Sequence, residues 1–293
     1  MQPTEPARAR PGSEDRVTVV VATRDRRDEL VRSLGRHEAG VIVVDNGSRD
    51  GSVAAVSALF PRADLVALDR NRGAPARNLG VERARTPYVA FADDDSWWAP
   101  GALARAADLF DAHPRLGLLA GRILVGPAQE PDPVCAQMEA APLGCEPDLP
   151  GPSILGFLAC GAVVRRTAFL EAGGFDDVVF FYGEEERLAL DMAAAGWGLA
   201  YAGDVVAHHH PSPTRDTFGR RALSVRNQLL TAVLRRPWRV VGGHVAAATR
   251  RDRASRAGLR AALPRAPRAL ARRRPLPAAV EQAARRVSAE RPA

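Results

Sequence analysis

The chain has 293 residues, of which 46% are hydrophobic and 26% charged, with a formal net charge of +7 at pH 7. That length suits one large domain, or one domain with an appendage. No window approaches 18 consecutive apolar residues and the N-terminus lacks an apolar stretch, so we expect neither a transmembrane helix nor a secretory signal. Three cysteines without CxxC spacing favour reduced thiols over a disulfide or a zinc site, as in a cytoplasmic protein.

The charge is unevenly distributed along the chain. Residues 215–293 contain 20 Arg and four Asp or Glu, a formal charge of +16, which leaves −9 for residues 1–214. Two interpretations of the Arg-rich region stay open: a solvated helical face, or a surface that attracts anionic lipid at the inner face of the membrane. Nucleic acid is not expected as a partner, because the region contains no interleaved aromatic residues and no recognised reader motif.

Strands and helices alternate along the first third of the chain. Apolar runs predict strands at residues 17–22, 41–45, 63–69 and 87–92, and amphipathic stretches predict helices at 25–35, 52–60 and 74–85. This order indicates an α/β fold with a mostly parallel sheet and helices on both faces. Further on, the patterns predict helices at 100–113, 167–175 and 184–195, strands at 117–125, 157–166 and 199–208, an irregular excursion at 126–153 and helices beyond 217.

Polar residues follow each of the first four strands, and ligands of parallel sheets gather at the carboxyl ends of strands. The fourth strand ends on three adjacent acids, Asp93 to Asp95. Adjacent carboxylates repel each other unless a cation accompanies them, and Mn²⁺ and Mg²⁺ prefer oxygen ligands. The triplet therefore indicates a metal or substrate site, with a solvated acidic turn or helix cap as the alternative.

Two later polar groups have both a structural and a functional interpretation. Glu184, Glu185 and Glu186 open a helix, where the dipole favours acids. A carboxylate buried behind Phe180, Phe181 and Tyr182 would instead serve as a general base with a raised pKa. One of His208, His209 and His210 could complete an oxygen-rich metal site, unless all three lie in a surface loop. For Trp97 and Trp98 we expect core packing rather than stacking on sugar.

The ordered motifs VTVVVATRDR, VVDNGSRDGS, NRGAPARNLG, YVAFADDDSWWAPGAL, GAVVRRTAFLEAGGFDDVVFFYGEEERLAL and AHHH together carry a resemblance. Over roughly residues 16–230 the chain resembles family 2 glycosyltransferases with the GT-A fold, and most of all their rhamnosyltransferase-type branch. The resemblance implies a disordered tail at 1–15, a GT-A glycosyltransferase domain at 16–230 and a basic helical extension at 231–293.

The resemblance also implies roles for individual residues. The nucleotide-base pocket would be lined by Thr23, Asp25, Asp45 and Asn46. Arg77 and Asn78 would lie near the ribose and diphosphate, and Asp93 and Asp94 would contact the nucleotide sugar. The metal, Mn²⁺ or Mg²⁺, would be held by Asp95, with His208 as a further metal or diphosphate contact. The catalytic pair would be Glu184 and Glu185, with Glu185 as the general base; Arg187 stands where the family often has Asp.

These roles imply an inverting transfer of sugar from a UDP- or dTDP-linked donor to a hydroxyl acceptor, either free or lipid-linked. The setting would be cell-envelope polysaccharide, glycolipid or natural-product glycosylation. One alternative is a metal-dependent sugar-phosphate nucleotidyltransferase, although ATRDRRDEL lacks the glycine that its phosphate loop needs. Another is a non-catalytic nucleotide-sugar-binding protein with a membrane-associating tail, which requires that the acids at 93–95 and 184–186 share no site.

Overall fold

The computed structural model describes residues 13–212 and 216–289 of the chain. Within these residues, a nine-stranded sheet forms the centre of the molecule. Its strands are β1 (Val17–Thr23), β2 (Gly40–Asp45), β3 (Asp64–Ala67), β4 (Tyr88–Asp93), β5 (Ser96–Trp98), β6 (Leu116–Val125), β7 (Glu130–Pro131), β8 (Ala162–Arg165) and β9 (Gly198–His209).

Helices cover the sheet and continue beyond it. They are α1 (Ser13–Arg16), α2 (Arg27–Leu34), α3 (Ser52–Leu59), α4 (Ala76–Arg83), α5 (Ala102–Ala112), α6 (Pro133–Glu139), α7 (Arg166–Glu171), α8 (Glu185–Ala194), α9 (Thr217–Arg235), α10 (Trp238–Arg250), α11 (Arg253–Ala262), α12 (Ala266–Ala271) and α13 (Ala278–Ala289). Of the predicted disordered tail, residues 1–12 lie outside the described part of the chain, and helix α1 begins at Ser13.

The strand order is β3-β2-β1-β4-β8-β6-β9-β5, with β7 paired to β6. Strands β3, β2, β1 and β4 run parallel to one another, and β6 runs parallel to β9. Strand β8 is antiparallel to β4 and β6, and β5 is antiparallel to β9, each over three residue pairs. The predicted mostly parallel sheet is confirmed, and the short antiparallel strand β8 joins its two parallel parts.

Both faces of the sheet are buried, as the continuous apolar strands predicted. Alternate residues of β1 point to opposite faces: Val20 belongs to one core, and Val19 and Val21 belong to the other. The first core includes side chains from α4, α7 and α8, and the second includes side chains from α2, α3 and α5. Because helices cover both faces, the carboxyl ends of the strands are the open edge of this layer.

Two elements differ from the prediction. The excursion at 126–153 contains helix α6, which begins where Asp132 accepts a hydrogen bond from the Val134 amide (2.9 Å) and Pro133 occupies the first turn. An acidic cap followed by proline is a helix-start signal that the Pro-rich composition obscured. Strand β5 depends on pairing with the distant β9, so its three residues had no local pattern to reveal it.

The C-terminal helices share two smaller cores with the rest of the molecule. Val178 and Val179 pack with apolar side chains of α9, α11 and α12, and α13 packs against α8 through Ala284 and Leu190. The predicted boundary at residue 230 falls inside α9. Among the described residues, no helix has the length and apolarity needed to cross a membrane.

Helix α4 lies directly on β1 through Gly80. A Cβ atom at this position would lie 2.4 Å from a Val20 methyl carbon. We expect Gly80→Ala to destabilise the protein by about 1–3 kcal/mol, the usual cost of overpacking a core. Gly242→Ala in α10 is the matched control, because no atom lies within 4 Å of its added Cβ. Urea unfolding should show Gly242→Ala as stable as the parent or more so; equal losses in both variants would contradict this packing.

Candidate active site

A cavity of about 1060 Å³ opens at the carboxyl ends of the parallel strands. It is lined by residues that follow β1, β2 and β4 and by the loop that leads into α8. The predicted site residues on its wall are Thr23, Asn46, Arg77, Asp93, Asp94, Asp95, Glu184 and Glu185. The acids at 93–95 and 184–186 thus share one cavity, which removes the premise of the non-catalytic alternative.

Two arginines neutralise the acid triplet. Asp93 accepts a 2.6 Å hydrogen bond from Arg77, and Arg26 contacts Asp94 at 3.3 Å and Asp95 at 2.9 Å. Burial, together with the charges of Asp93 and Asp95, raises the pKa of Asp94 to about 7. Arg26 was not predicted as a site residue, although three adjacent carboxylates require compensating cations nearby.

The histidine at the acid triplet is His209 and not His208. Its Nε2 lies 3.3 Å from an Asp95 oxygen. Successive side chains of a strand point to opposite faces, so His208 points away, stacks on Trp97 with ring centroids 5.3 Å apart and hydrogen-bonds Gln129. The structure thus places His209, and not the predicted His208, beside the acid triplet.

Trp97 and Trp98 lie outside the cavity lining. Trp98 is buried in the core and donates a 3.1 Å hydrogen bond to the Phe91 carbonyl. Trp97 lies between the His208 ring and the Arg36 guanidinium, which is 4.0 Å from its ring centroid. The prediction of packing rather than sugar stacking agrees with both positions.

The donor atoms beside the triplet suit a hard divalent cation. Ligand atoms of Asp93, Cys160 and His209 lie within 4.8 Å of one another, with Asp95 next to His209. Burial, reinforced by nearby carboxylates, raises the pKa of the Cys160 thiol well above its usual range. Hard cations prefer oxygen ligands to sulfur. Carboxylates and an imidazole remain, which fit Mn²⁺ or Mg²⁺.

The two catalytic candidates differ in exposure. Glu184 is 2% exposed, and one of its oxygens lies 3.6 Å from Arg77 Nη1. Glu185 is half-buried and is the first residue of α8. Burial raises the pKa of both carboxyl groups, and the charge of Glu185 adds to the effect at Glu184 while Arg77 opposes it. Both carboxyl groups line the cavity, and Glu185 is the more exposed of the two.

The loop before α8 is held in a strained shape. Phe180 and Tyr182 both have φ of 74°, a region that costs bulky residues energy. The Phe180 carbonyl accepts a 2.7 Å hydrogen bond from the Ala74 amide, and Asn227 of α9 donates to the carbonyls of Phe181 (2.6 Å) and Tyr182 (2.7 Å). Two separate parts of the chain thus fix this loop.

Two of the three aromatic side chains that were expected to bury the general base are themselves exposed. Phe181 is 46% exposed and Tyr182 is 36% exposed. The left-handed backbone at Phe180 and Tyr182 turns the loop so that its carbonyls, rather than its rings, are held by the protein. Glu184, which follows this loop, is buried beside Arg77.

The turn after β2 carries the predicted base-binding residues. Asp45 is 2% exposed; one oxygen accepts from the Ser48 amide (2.9 Å), and the other is buried without a hydrogen-bond partner. Asn46 uses its amide to hold the Arg72 amide (2.7 Å) and the Gly73 carbonyl (3.0 Å). The unpaired Asp45 oxygen is the kind of buried acceptor that a bound ligand would satisfy.

Three predicted nucleotide contacts, Asp25, Asp45 and Asn78, are not among the residues that line the cavity. Asn78 donates to the Phe175 carbonyl and accepts from the Phe175 amide, both at 2.9 Å, so its side chain is already occupied. Asp25 accepts from the Arg49 amide at 2.7 Å, and its own amide donates to the Ser48 hydroxyl at 2.9 Å. Asn78 joins α4 to the 174–183 loop, and Asp25 braces the turn that holds Asp45.

Comparisons with known proteins agree with this geometry. Residues 18–171 match the sequence model of a family described as "Glycosyl transferase family 2". The chain is 31% identical over 221 residues to Pre-mycofactocin glycosyltransferase of Mycobacterium tuberculosis, covering 70% of this chain and 45% of that protein. It is 28% identical over 203 residues to N-acetylglucosaminyl-diphospho-decaprenol L-rhamnosyltransferase of the same species, covering 58% and 66%.

A third relative is succinoglycan biosynthesis protein ExoO of Rhizobium meliloti, 40% identical over 104 residues, covering 33% of this chain and 30% of that protein. The matched regions thus span between 30% and 66% of the lengths of these three relatives.

Solved structures show the same fold. Mannosyltransferase PcManGT from Pyrobaculum calidifontis, in complex with GDP-Man and Mn²⁺, gives a TM-score of 0.58 at 24% identity, covering 91% of this chain and 78% of that one. S. aureus TarS 1-349 in complex with UDP-GlcNAc gives 0.57 at 15% identity, covering 74% and 66%. The fold is GT-A, and with just over half of its residues matched by the family model, the chain belongs to glycosyltransferase family 2.

Proposed function

We propose that the protein is an inverting glycosyltransferase that moves a sugar from a nucleotide diphosphate sugar, UDP- or dTDP-linked, to a hydroxyl acceptor. One observation carries the proposal. Buried Arg77 contacts both Asp93, at the end of β4, and Glu184, at the start of α8, so donor-side and base-side carboxylates share one cavity.

The donor would lie along the ends of β1, β2 and β4. The unpaired Asp45 oxygen is a hydrogen-bond acceptor suited to the ring N–H of uracil or thymine. Thr23, Asn46 and Arg77 line the path from this turn to the acid triplet. Mn²⁺ or Mg²⁺, held by Asp95 and His209 in place of His208, would neutralise the charge of the leaving diphosphate.

Glu185 is the general base in this proposal. It accepts the proton of the acceptor hydroxyl, and the freed oxygen forms a bond to the anomeric carbon while the bond from that carbon to the diphosphate oxygen breaks. Attack from the face opposite the leaving group inverts the configuration. Glu184 is a positioning residue, because its contact with Arg77 is buried and fixes the start of α8 relative to β4.

The acceptor is proposed more broadly. The relatives are named as an N-acetylglucosaminyl-diphospho-decaprenol L-rhamnosyltransferase, a Pre-mycofactocin glycosyltransferase and a succinoglycan biosynthesis protein. They support a role in cell-envelope polysaccharide, glycolipid or natural-product glycosylation. The exposed arginines of the C-terminal helices support a cytoplasmic enzyme that contacts anionic lipid at the inner face of the membrane.

The base assignment is tested on neighbouring glutamates. Glu185→Gln should lower kcat by about 10²–10⁴-fold, the usual loss for a general base, while leaving donor affinity and the fold intact. Glu186→Gln is the matched control, because its side chain is turned about 100° further around the helix. The measurement is steady-state kinetics with a nucleotide sugar that the parent enzyme uses as donor. A larger loss of kcat in Glu186→Gln than in Glu185→Gln would assign the general base to Glu186.

The same kinetics have a predicted pH dependence. A general base works only when ionised, and burial raises the pKa of Glu185. Activity should therefore fall as the pH drops through a value above the ordinary glutamate pKa of 4.5. If the residual activity of Glu185→Gln falls at low pH in the same way as that of the parent, the titrating group is not Glu185.

The metal assignment is tested on neighbouring histidines. His209→Asn should weaken Mn²⁺ binding at least about tenfold, in the range seen when support for a metal site is lost. His208→Asn should bind Mn²⁺ like the parent, because this ring packs on Trp97. Titration of Mn²⁺ into UDP-bound protein, followed by electron paramagnetic resonance, measures both; equal affinities in the two variants would contradict the assignment.

A further inference from the structure

An open groove adjoins the catalytic cavity where α9 and α11 begin. The two spaces share four lining residues: Tyr182, Arg220, Ser224 and Gln228. Tyr182 lies three residues before Glu185, so the groove opens on the side of the proposed base. Thr23 and Asn46, which are proposed to lie beside the nucleotide, line another part of the cavity. The groove therefore extends from the acceptor side of the site.

Close packing of the two helices forms the groove. A Cβ atom at Gly258 of α11 would lie 2.4 Å from the Ala222 carbonyl oxygen of α9, so only a glycine allows this approach. Arg221 and Asp252 form a 2.7 Å ion pair across the helix starts. Asp252 also caps α11 by accepting from the Ser255 amide at 2.8 Å. These contacts bring the segment at 251–253 beside the first turns of α9.

The groove is positively charged. Four arginines line it, Arg220, Arg221, Arg251 and Arg253, against one acid, Asp252, which already pairs with Arg221. In the part of the chain that the structure describes, the guanidinium groups of Arg251 and Arg253 have no ion-pair or hydrogen-bond partner. Arg220 lies over the Tyr182 ring, 5.7 Å from its centroid, at the point where the groove meets the cavity.

Other arginines of the C-terminal region are used differently. Arg235 pairs with Asp191, Arg236 with the buried Glu281, and Arg268 with Asp177. Those side chains hold the helices to the catalytic layer or to one another. Among the described residues, Arg221 pairs with Asp252 and Arg220 packs on Tyr182, whereas Arg251 and Arg253 make no such contact. The charges of Arg251 and Arg253 are therefore available to an anionic ligand.

We propose that this groove binds the phosphate-bearing part of the acceptor, so that its sugar hydroxyl reaches Glu185. The inference rests on the proposed function. The guanidinium group presents paired donors that match phosphate oxygens, which makes several convergent arginines a recognition site for phosphate or diphosphate esters. Exposed rings of Phe218 and Tyr182 border the same groove and offer apolar surface beside the charge.

The test separates this site from the donor site. Protein is first saturated with UDP and Mn²⁺, so that a diphosphate probe cannot enter the donor pocket, and decyl diphosphate is then titrated by calorimetry. Arg251→Gln/Arg253→Gln should weaken its binding about tenfold or more, because charge-assisted contacts are lost. Arg239→Gln/Arg286→Gln, which removes the same charge from exposed arginines outside the groove, should leave binding unchanged.

Two further arms identify the source of the anion. Inorganic pyrophosphate should compete with decyl diphosphate, since the groove recognises the diphosphate; no competition would mean binding through the alkyl chain and would overturn the proposal. Vesicles with and without 20% anionic lipid measure simple surface attraction. If both double variants lose vesicle binding alike and bind decyl diphosphate like the parent, the arginines form only a membrane surface and the groove proposal is wrong.

Failure of the proposed function gives a different result. UDP with Mn²⁺, or dTDP in its place, should raise the melting temperature of the parent and of both double variants, because ligands that bind only the folded state stabilise it. If neither nucleotide does so in the parent, the proposed UDP- or dTDP-linked donor is wrong. If the nucleotide binds and the two double variants bind decyl diphosphate equally, only the groove proposal fails.

Discussion

Arg77 is the residue on which the site depends. It is 6% exposed, contacts Asp93 at 2.6 Å and Glu184 at 3.6 Å, and so joins the end of β4 to the start of α8. A guanidinium stays protonated, so this buried charge must be paired. Removing it would leave the buried Glu184 without its cation, and breaking a buried pair usually costs about 3–5 kcal/mol. Asp93, which is partly exposed, would also lose its partner. Arg77 thus sets the spacing between the carboxylates of Asp93 and Glu184.

The C-terminal helices complete this arrangement. Arg187 stands where the family often has Asp; it donates to the Gly174 carbonyl at 2.6 Å and pairs with Asp191 at 2.7 Å. Arg235 of α9 also pairs with Asp191, which ties α9 to α8. The acidic body and the basic C-terminal region therefore meet in specific ion pairs around the loop that leads to Glu185. Part of the positive charge of the C-terminal region is therefore used in ion pairs that hold it to the acidic body.

Much of this could be predicted from local sequence, because strands buried on both faces have continuous apolar runs. Strands β1, β2 and β4 and the acids at the end of β4 followed from that pattern and from the rule that parallel strands end at a common edge. The joint cavity of acids 93–95 and 184–186 was likewise implied by the family resemblance. Local sequence patterns thus predict which strands and helices form and at which edge of the sheet the polar residues meet.

Contacts between distant segments could not be predicted in this way. His208 and His209 are equivalent in sequence, and only the pairing of β9 with β5 decides which ring faces Asp95. Asn78 has the composition of a ligand contact, but Phe175 occupies both of its polar atoms. Arg26 compensates Asp94 and Asp95 across about 70 residues of sequence, a separation at which no periodicity indicates contact.

The proposed metal and nucleotide positions are tested most directly by a crystal structure of the protein with UDP and MnCl₂, with anomalous data collected at the manganese edge. We expect a manganese peak bonded to Asp95 and His209, a diphosphate beside it, and the uracil ring against the unpaired oxygen of Asp45. Nucleotide bound in this cavity with no manganese at Asp95 and His209, or with manganese at His208, would contradict it.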